Sequence, residues 1–191
     1  MSKTLENLSK AFAGESQARN RYTMYSKLAK KEGYEQIAAI FLETAEQERE
    51  HSVKLFEYIN EIKEGNLVVN VETSVPNVYS STIENLKASI AGETEEYTSM
   101  YPEFVKTAEE EGYNKISAKL KMIAIAEEHH KQRYEKLLKN LEDGKVFKKD
   151  QKVFWVCREC GFVYFGENAP ELCPCCDHAK AFYQVQEENY N

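Results

Sequence analysis

Two Glu-x-x-His motifs stand 79 residues apart, Glu48-Arg49-Glu50-His51 and Glu127-Glu128-His129-His130. Each lies on an apolar stripe that steps by four and three. The first stripe reads Ile37, Phe41, Thr44, Glu48, His51, Leu55, Tyr58, Ile62, and the second Ile116, Leu120, Ile123, Glu127, His130, Tyr134, Leu137, Leu141. That spacing is the buried face of a helix. A carboxylate and an imidazole at its centre must be neutralised, paired or bound to metal, because an unpaired buried ion costs several kcal/mol.

Two single glutamates complete the pattern. Glu15 is central to the stripe Leu8, Ala11, Ala18, Tyr22, Tyr25, and Glu93 lies on Leu86, Glu96, Tyr97. One Glu from each of two helices, with a Glu-x-x-His from each of two others, is the ligand set of a dinuclear iron or manganese site. Glu96, one turn after Glu93, adds a fifth carboxylate. Five carboxylates against two divalent or two trivalent ions leave the site within one charge of neutral. Hard oxygen donors with two imidazoles suit iron or manganese better than thiophilic metals. Tyr22 and Tyr101 can reach ligand carboxylates across the core or serve as packing. Gly14 and Gly92, each just before a single glutamate, allow close helix approach or are small packing residues. His129 is off the stripe and faces away.

All five cysteines fall between Cys157 and Cys176. Cys157-x-x-Cys160 and Cys173-x-x-Cys176 form two knuckles, the pattern of a tetrahedral four-thiolate metal site. Spacing alone does not separate iron from zinc. Cys175 is then a spare thiol, and His178 either shapes the site or is an ordinary surface residue. Clustered cysteines are metal-site usage in a reducing compartment, not a disulfide framework.

The elements that must position these residues follow from the punctuation of the chain. Gly33, Gly65, Gly112 and Gly144 each close a periodic run, as glycines after a helix do. Ser81-Thr82-Ile83-Glu84 resembles a capping box. Helices are expected over about 4–31, 35–63, 81–111 and 114–143. Gly33 and Gly112 mark tight turns, and Asn66 to Ser80 is the long connection between two hairpins. A mainly α, ferritin-like four-helix bundle with one long crossover is expected over residues 1–146. Residues 152–191, rich in Cys, Phe, Tyr and turn residues, read as short strands and loops of a small metal domain.

The hairpins repeat. Ala13-Gly14-Glu15-Ser16 matches Ala91-Gly92-Glu93-Thr94 at an offset of 78, while Glu32-Gly33-Tyr34 matches Glu111-Gly112-Tyr113 at 79. This implies two related hairpins about a pseudo-twofold axis. The one-residue change is absorbed as a π-bulge or kink between Glu93 and Pro102. Glu15 and Glu48 lie ~27 and ~22 Å from the Gly33 turn, and Glu93 and Glu127 ~28 and ~22 Å from Gly112, at 1.5 Å per residue. All four glutamates therefore meet at mid-bundle.

The chain has 191 residues and a net charge of −7. That balance disfavours nucleic acid and anionic membranes as partners. No stretch approaches the ~20 apolar residues of a transmembrane helix. The start, Met-Ser-Lys-Thr-Leu-Glu, lacks an apolar signal core, so a cytoplasmic protein is expected.

The chain resembles the rubrerythrin family over essentially its full length. The matching segments are Ala13-Gly-Glu-Ser-Gln-Ala-Arg-Asn-Arg-Tyr22, Glu46-Gln-Glu-Arg-Glu-His51, Ala91-Gly-Glu-Thr-Glu-Glu-Tyr97 and Ala126-Glu-Glu-His-His130. Cys157-Arg-Glu-Cys-Gly161 and Ala169-Pro-Glu-Leu-Cys-Pro174 resemble a rubredoxin-like domain, which moves the cysteine site from zinc to iron. The one notable departure is Cys175. The resemblance implies a non-haem diiron peroxidase reducing hydrogen peroxide to water, in the oxidative-stress defence of an anaerobic or microaerophilic cell.

It implies diiron ligands Glu15, Glu48, Glu93, Glu96, Glu127, His51 and His130, with Glu96 and His51 as alternative ligands to one iron. Cys157, Cys160, Cys173 and Cys176 would hold a third, mononuclear iron. Glu96, His51, Tyr22 and Tyr101 are the candidate catalytic residues. Electrons would come through an external donor such as rubredoxin and a reduced-nicotinamide-dependent reductase. Glu127 lies ~25 Å of helix from Gly144, so a homodimer or higher oligomer is expected, one subunit's small domain serving the partner's diiron site. The alternatives are a ferroxidase or iron-storage protein, and a zinc-ribbon binding module on a helical scaffold.

Overall fold

Four long amphipathic segments pair as two helical hairpins in the computed structural model, which describes residues 1–65 and 68–187. Residues 66–67 of the expected crossover and 188–191 of the expected small domain lie outside the described residues. Helix α1 (Lys3–Lys31) turns through Gly33 into α2 (Glu35–Ile62). An extended crossover then leads to α3 (Thr82–Glu95), a π-helical turn (Glu96–Met100) and α4 (Tyr101–Glu110), which together form one continuous third rod. Helix α5 (Asn114–Glu142) completes the bundle. The glycines at 33, 65, 112 and 144 all adopt positive φ, between 64° and 85°, where a side chain would be strained.

The expected irregularity after Glu93 is present. The Tyr101 amide donates to the Glu96 carbonyl, the i→i+5 bond of a π turn. Pro102 follows at once, in the first turn of α4, where a missing N–H costs least. The extra residue is thus taken up between Glu96 and Met100, and the rod resumes in register with α5.

Helix starts are capped in two ways. Ser2 Oγ accepts from the Leu5 amide and Ser81 Oγ from the Glu84 amide, each at 3.2 Å. Only this half of the expected capping box forms, because Glu84 pairs instead with Lys87 at 3.2 Å. The second caps cross between hairpins. Glu111 accepts from the Lys3 and Thr4 amides at 2.8 Å, and its repeat mate Glu32 accepts from Thr82 at 3.0 Å. These carboxylates satisfy orphan amides at the positive end of a helix dipole.

The bundle interior is two apolar half-cores separated by a polar layer. Towards Gly112 lie Leu8, Leu55, Tyr101, Phe104, Ile116 and Leu120. Towards Gly33 lie Tyr22, Tyr25, Ile37, Phe41, Tyr134 and Leu137. The small domain sits at the Gly33 end, where a Cβ on Gly33 would meet Ala181 at 3.8 Å.

That domain is an antiparallel sheet of order β2-β1-β3, from β1 (Lys148–Cys157), β2 (Val163–Asn168) and β3 (Tyr183–Val185). Trp155 fills its core beside Cys157 and Cys173 and donates Nε1–H to the Gly166 carbonyl at 2.9 Å. The first strand begins at Lys148. Just before it, Phe147 packs against the small core while stacking on Tyr34 of the bundle, centroids 6.2 Å apart. No described helix is long and apolar enough to cross a membrane.

Candidate metal centres

Between the half-cores, four helices deliver the expected side chains to one place. Glu15, Glu48, His51 and Glu127 form one group whose ligand atoms lie within 4.8 Å of one another; Glu48, Glu93, Glu127 and His130 form a second on the same criterion. Glu48 and Glu127 belong to both, so each could serve two ions. The i,i+3 spacing of each Glu-x-x-His places carboxylate and imidazole on one face: His51 Nδ1 lies 3.0 Å from Glu48 and His130 Nδ1 2.8 Å from Glu127.

The donor set fits two metal ions. Glu15, Glu48, Glu93 and Glu127 are at most 1% exposed. His130 Nδ1 lies 3.1 Å from Glu48 Oε1 and His51 Nδ1 2.9 Å from Glu127 Oε1, so two imidazoles are shared among four buried carboxylates, and Glu15 Oε2 has no hydrogen-bond partner. Buried carboxylate oxygens left without a donor cost more than the chain can recover by packing. Their mutual closeness calls for positive charge between them, from bound cations or from held protons. Four carboxylates and two imidazoles are the hard, borderline-nitrogen set of iron or manganese.

Titration behaviour follows the same crowding. Burial, then Glu127 and Glu48, pushes the Glu15 carboxyl well up. Burial pushes Glu93 up to about 8, only partly opposed by His130. Burial would raise Glu48 too, but hydrogen bonding with His130 and His51 outweighs it and holds that carboxyl at about 2. Burial opposes the charged imidazoles, yet Glu127 and Glu48 lift His51 to about 10, and with Glu93 lift His130 to about 12. Without metal the cluster neutralises itself by holding protons, which metal ions must displace.

Two tyrosines support the ligands from opposite sides. Tyr22 on α1 donates to Glu93 at 2.5 Å, and Tyr101 on α4 donates to Glu15. The two phenols are repeat mates, so each hairpin braces the other's single glutamate. Burial pushes both phenols well up, which keeps them donors.

Glu96 stands outside both ligand groups; His51 takes the place beside Glu15. The Glu96 carboxyl is half-buried on the π turn and lines a cleft of about 580 Å³ with Gly14, Gln17, Arg21, Gly92 and Met100. A Cβ on Gly14 or Gly92 would meet nothing within 4 Å. The two glycines are therefore neither close-approach points nor packing residues; they border the cleft. Burial, then Glu93 and Glu127, pushes the Glu96 carboxyl well up.

His129 is exposed, as its position off the stripe requires. Three residues beyond His130, Arg133 bridges to Glu43 at 2.7 Å and Gln47 at 3.0 Å, tying α5 to α2 beside the site. Sequence reasoning missed it, since its position marks only the rim of the stripe.

In the small domain Cys157, Cys160, Cys173 and Cys176 converge within 4.8 Å, and Cys175 lies outside, exposed. Cys157 and Cys176 sulfurs are 3.8 Å apart, Cys160 and Cys173 3.6 Å. Uncompensated, such thiols resist joint ionisation. Cys173 is lowered to about 6 despite burial, helped by Tyr183 and by the Cys175 and Cys176 amides, while its three neighbours raise Cys176 to about 12 even though the His178 amide donates to it. His178 serves the knuckle through its backbone and its ring: its carbonyl accepts from the Cys173 amide at 2.8 Å, and its ring meets Phe182 edge-on at 4.6 Å. A tetrahedral thiolate metal ion resolves the charge conflict.

Comparison with known proteins agrees with both sites. Residues 6–138 match the rubrerythrin family model, and residues 155–184 match the rubrerythrin rubredoxin-like domain. A putative rubrerythrin of Methanocaldococcus jannaschii is 53% identical over 100% of this chain and 96% of its own. The rubrerythrin of Porphyromonas gingivalis is 48% identical, covering 99% of this chain and 92% of its own. Among solved structures, the fully reduced, all-ferrous state of nigerythrin aligns with a TM-score of 0.66 at 33% identity, over 97% of this chain and 88% of that one.

Proposed function

The chain belongs to the rubrerythrin family, with a dinuclear iron site in its bundle and a four-cysteine iron site in its small domain, and from that premise we propose that it reduces hydrogen peroxide to water. The observation that carries this reading is the pair of buried ligand groups sharing Glu48 and Glu127, with one further carboxyl, Glu96, held just outside them.

Two bound ferrous ions supply one electron each, the two that peroxide reduction consumes. Glu48 and Glu127, common to both groups, would hold the ions together with Glu15, His51, Glu93 and His130. Tyr22 and Tyr101 orient Glu93 and Glu15, so the outer ligands keep their places as charge changes. The half-cores on either side exclude bulk water. Glu96 stands apart from the two groups: burial beside Glu93 and Glu127 favours its protonated form, and it lines the cleft, so it can hand a proton to a departing oxygen. As a carboxylate it can then exchange with His51 as a ligand.

Electrons return through the small domain, whose cysteines hold the iron that an external donor, such as a rubredoxin with a reduced-nicotinamide-dependent reductase, would serve. The small domain lies at the Gly33 end, ~25 Å of helix from Glu127. A homodimer bringing the partner's small domain alongside the bundle shortens that path. The test is a metal count with anaerobic peroxide titration of the reduced, iron-loaded protein. About three irons per chain with fast reoxidation by peroxide supports the proposal. Faster reoxidation by dioxygen would overturn it in favour of a ferroxidase.

A further inference from the structure

The two halves of the repeat differ in what lies behind their tyrosines. Behind Tyr101 the ring contact ends at Phe104, 6.5 Å away, and the same half-core holds Leu120 and Leu55. Behind Tyr22 the three positions that correspond to Phe104, Leu120 and Leu55 are all aromatic. Tyr25 replaces Phe104, Phe41 replaces Leu120 and Tyr134 replaces Leu55, each at the offset of 79. Their rings touch in series. Tyr22 lies 6.2 Å from Tyr25 and 6.0 Å from Phe41, and Phe41 lies 5.6 Å from Tyr25. Tyr25 then stacks on Tyr79 of the crossover, at 6.4 Å and 11° between planes. Tyr22 and Tyr25 are at most 2% exposed, whereas Tyr79 is 59% exposed. Among the described residues an unbroken line of phenols therefore runs from a candidate metal ligand, Glu93, to solvent, on the Tyr22 side of the site.

We propose that Tyr22, Tyr25 and Tyr79 conduct a single oxidising equivalent from the dinuclear site to the protein surface when peroxide arrives with fewer than two stored electrons. The inference rests on the peroxidase reading above. Reducing one hydrogen peroxide to two waters takes two electrons and two protons. A site storing one electron leaves the reaction one short. Tyr22 supplies the second: its O–H bond breaks, the electron completes O–O cleavage, and the proton crosses its 2.5 Å hydrogen bond to Glu93. Tyr25 refills Tyr22 by one electron, keeping its own phenolic proton in its 2.7 Å hydrogen bond to the Val78 carbonyl, and the Tyr22 proton returns from Glu93. Tyr79 refills Tyr25 and releases its own phenolic proton to water. The net loss is one electron and one proton from Tyr79; the protons of the two waters come from solvent. The surface radical ends by taking a hydrogen atom from a thiol. Without one, two such radicals couple ring to ring as dityrosine, their ring hydrogens moving to the phenol oxygens. Tyr134, packed on Tyr22 at 5.5 Å, has no acceptor for its phenol and lies off the route.

The test uses the full iron-loaded protein, reduced to one electron per dinuclear site, mixed with one equivalent of hydrogen peroxide and freeze-quenched. An organic-radical EPR signal that narrows with ring-deuterated tyrosine is expected. Tyr22→Phe should reduce its yield at least about tenfold. Tyr79→Phe should leave turnover of the fully reduced protein unchanged, lengthen the radical's life and remove the dityrosine that maps to Tyr79 without thiol. Absence of a tyrosyl signal in the unaltered protein, an undiminished signal in folded Tyr22→Phe, or unchanged dityrosine in Tyr79→Phe overturns the conduit. If the fully reduced protein still consumes peroxide in that case, the peroxidase reading stands alone. If it does not, both fall.

Discussion

Tyr22 of α1 and Glu93 of α3 meet across the bundle at 2.5 Å, and their repeat mates Tyr101 and Glu15 meet in the opposite sense. Each hairpin thus holds a ligand of the other. Outer-shell partners of this kind change metal affinity or activity by 10–100-fold when removed. Tyr22→Phe and Tyr101→Phe should therefore each retain the fold and bind iron, but lose about 10-fold or more in peroxide kcat/KM. Stopped-flow kinetics with iron analysis checks this; wild-type kinetics in both variants would count against the bracing role.

Glu96 is the site residue held outside the ligand groups. Glu96→Ala removes the proposed proton carrier and alternative ligand while leaving both groups complete. The variant should keep its iron and lose peroxide turnover by on the order of 10²-fold, the lower end for a general acid. Unchanged turnover at full iron occupancy would refute that role.

The metal-free site makes stability fall as pH rises. Glu93 is raised from 4.5 to about 8 and His51 from 6.5 to about 10. The native state then binds more protons than the unfolded chain from about pH 5 to pH 10, and stability drops across that window. Glu48, lowered to about 2, acts oppositely, but only below its unfolded value of 4.5. The Tm of metal-free protein should therefore decrease between about pH 6 and pH 9, and iron loading should remove most of that slope. Loading near pH 7 should also release protons, two of them from the imidazoles His51 and His130. Calorimetry in buffers of different ionisation enthalpy reads the number.

The knuckle register is tested in visible light. Cys175→Ser should leave the iron–thiolate absorption in place, because Cys175 lies outside the four-sulfur cluster. Cys176→Ser should abolish or strongly shift it. The reverse pattern would mean that the second knuckle uses Cys175.

Glu111 caps two amides of α1 from the far end of the other hairpin. Glu111→Gln removes the charge and should cost ~1 kcal/mol, lowering the Tm by about 2–4 °C in a chain of this size. Glu32→Gln, which gives up one such bond, should cost less. Thermal unfolding of both variants with iron bound checks the order.

What the sequence determined by itself is the ligand inventory and its convergence. Helical periodicity is a local property, and a fixed rise per residue puts Glu15, Glu48, Glu93 and Glu127 at one height before any packing is known. The repeat even located the π turn, because one extra residue between matched landmarks must be absorbed somewhere in the rod. The tertiary structure decided what depends on contacts between distant segments. It placed His51 and not Glu96 in the clusters of close donor atoms, turned Glu32 and Glu111 into caps for the opposite hairpin, and stacked Phe147 on Tyr34. It also laid the crossover along α1 so that Tyr79 stacks on Tyr25. Each of these is set by which surfaces meet across the bundle, and no spacing within a single helix encodes that.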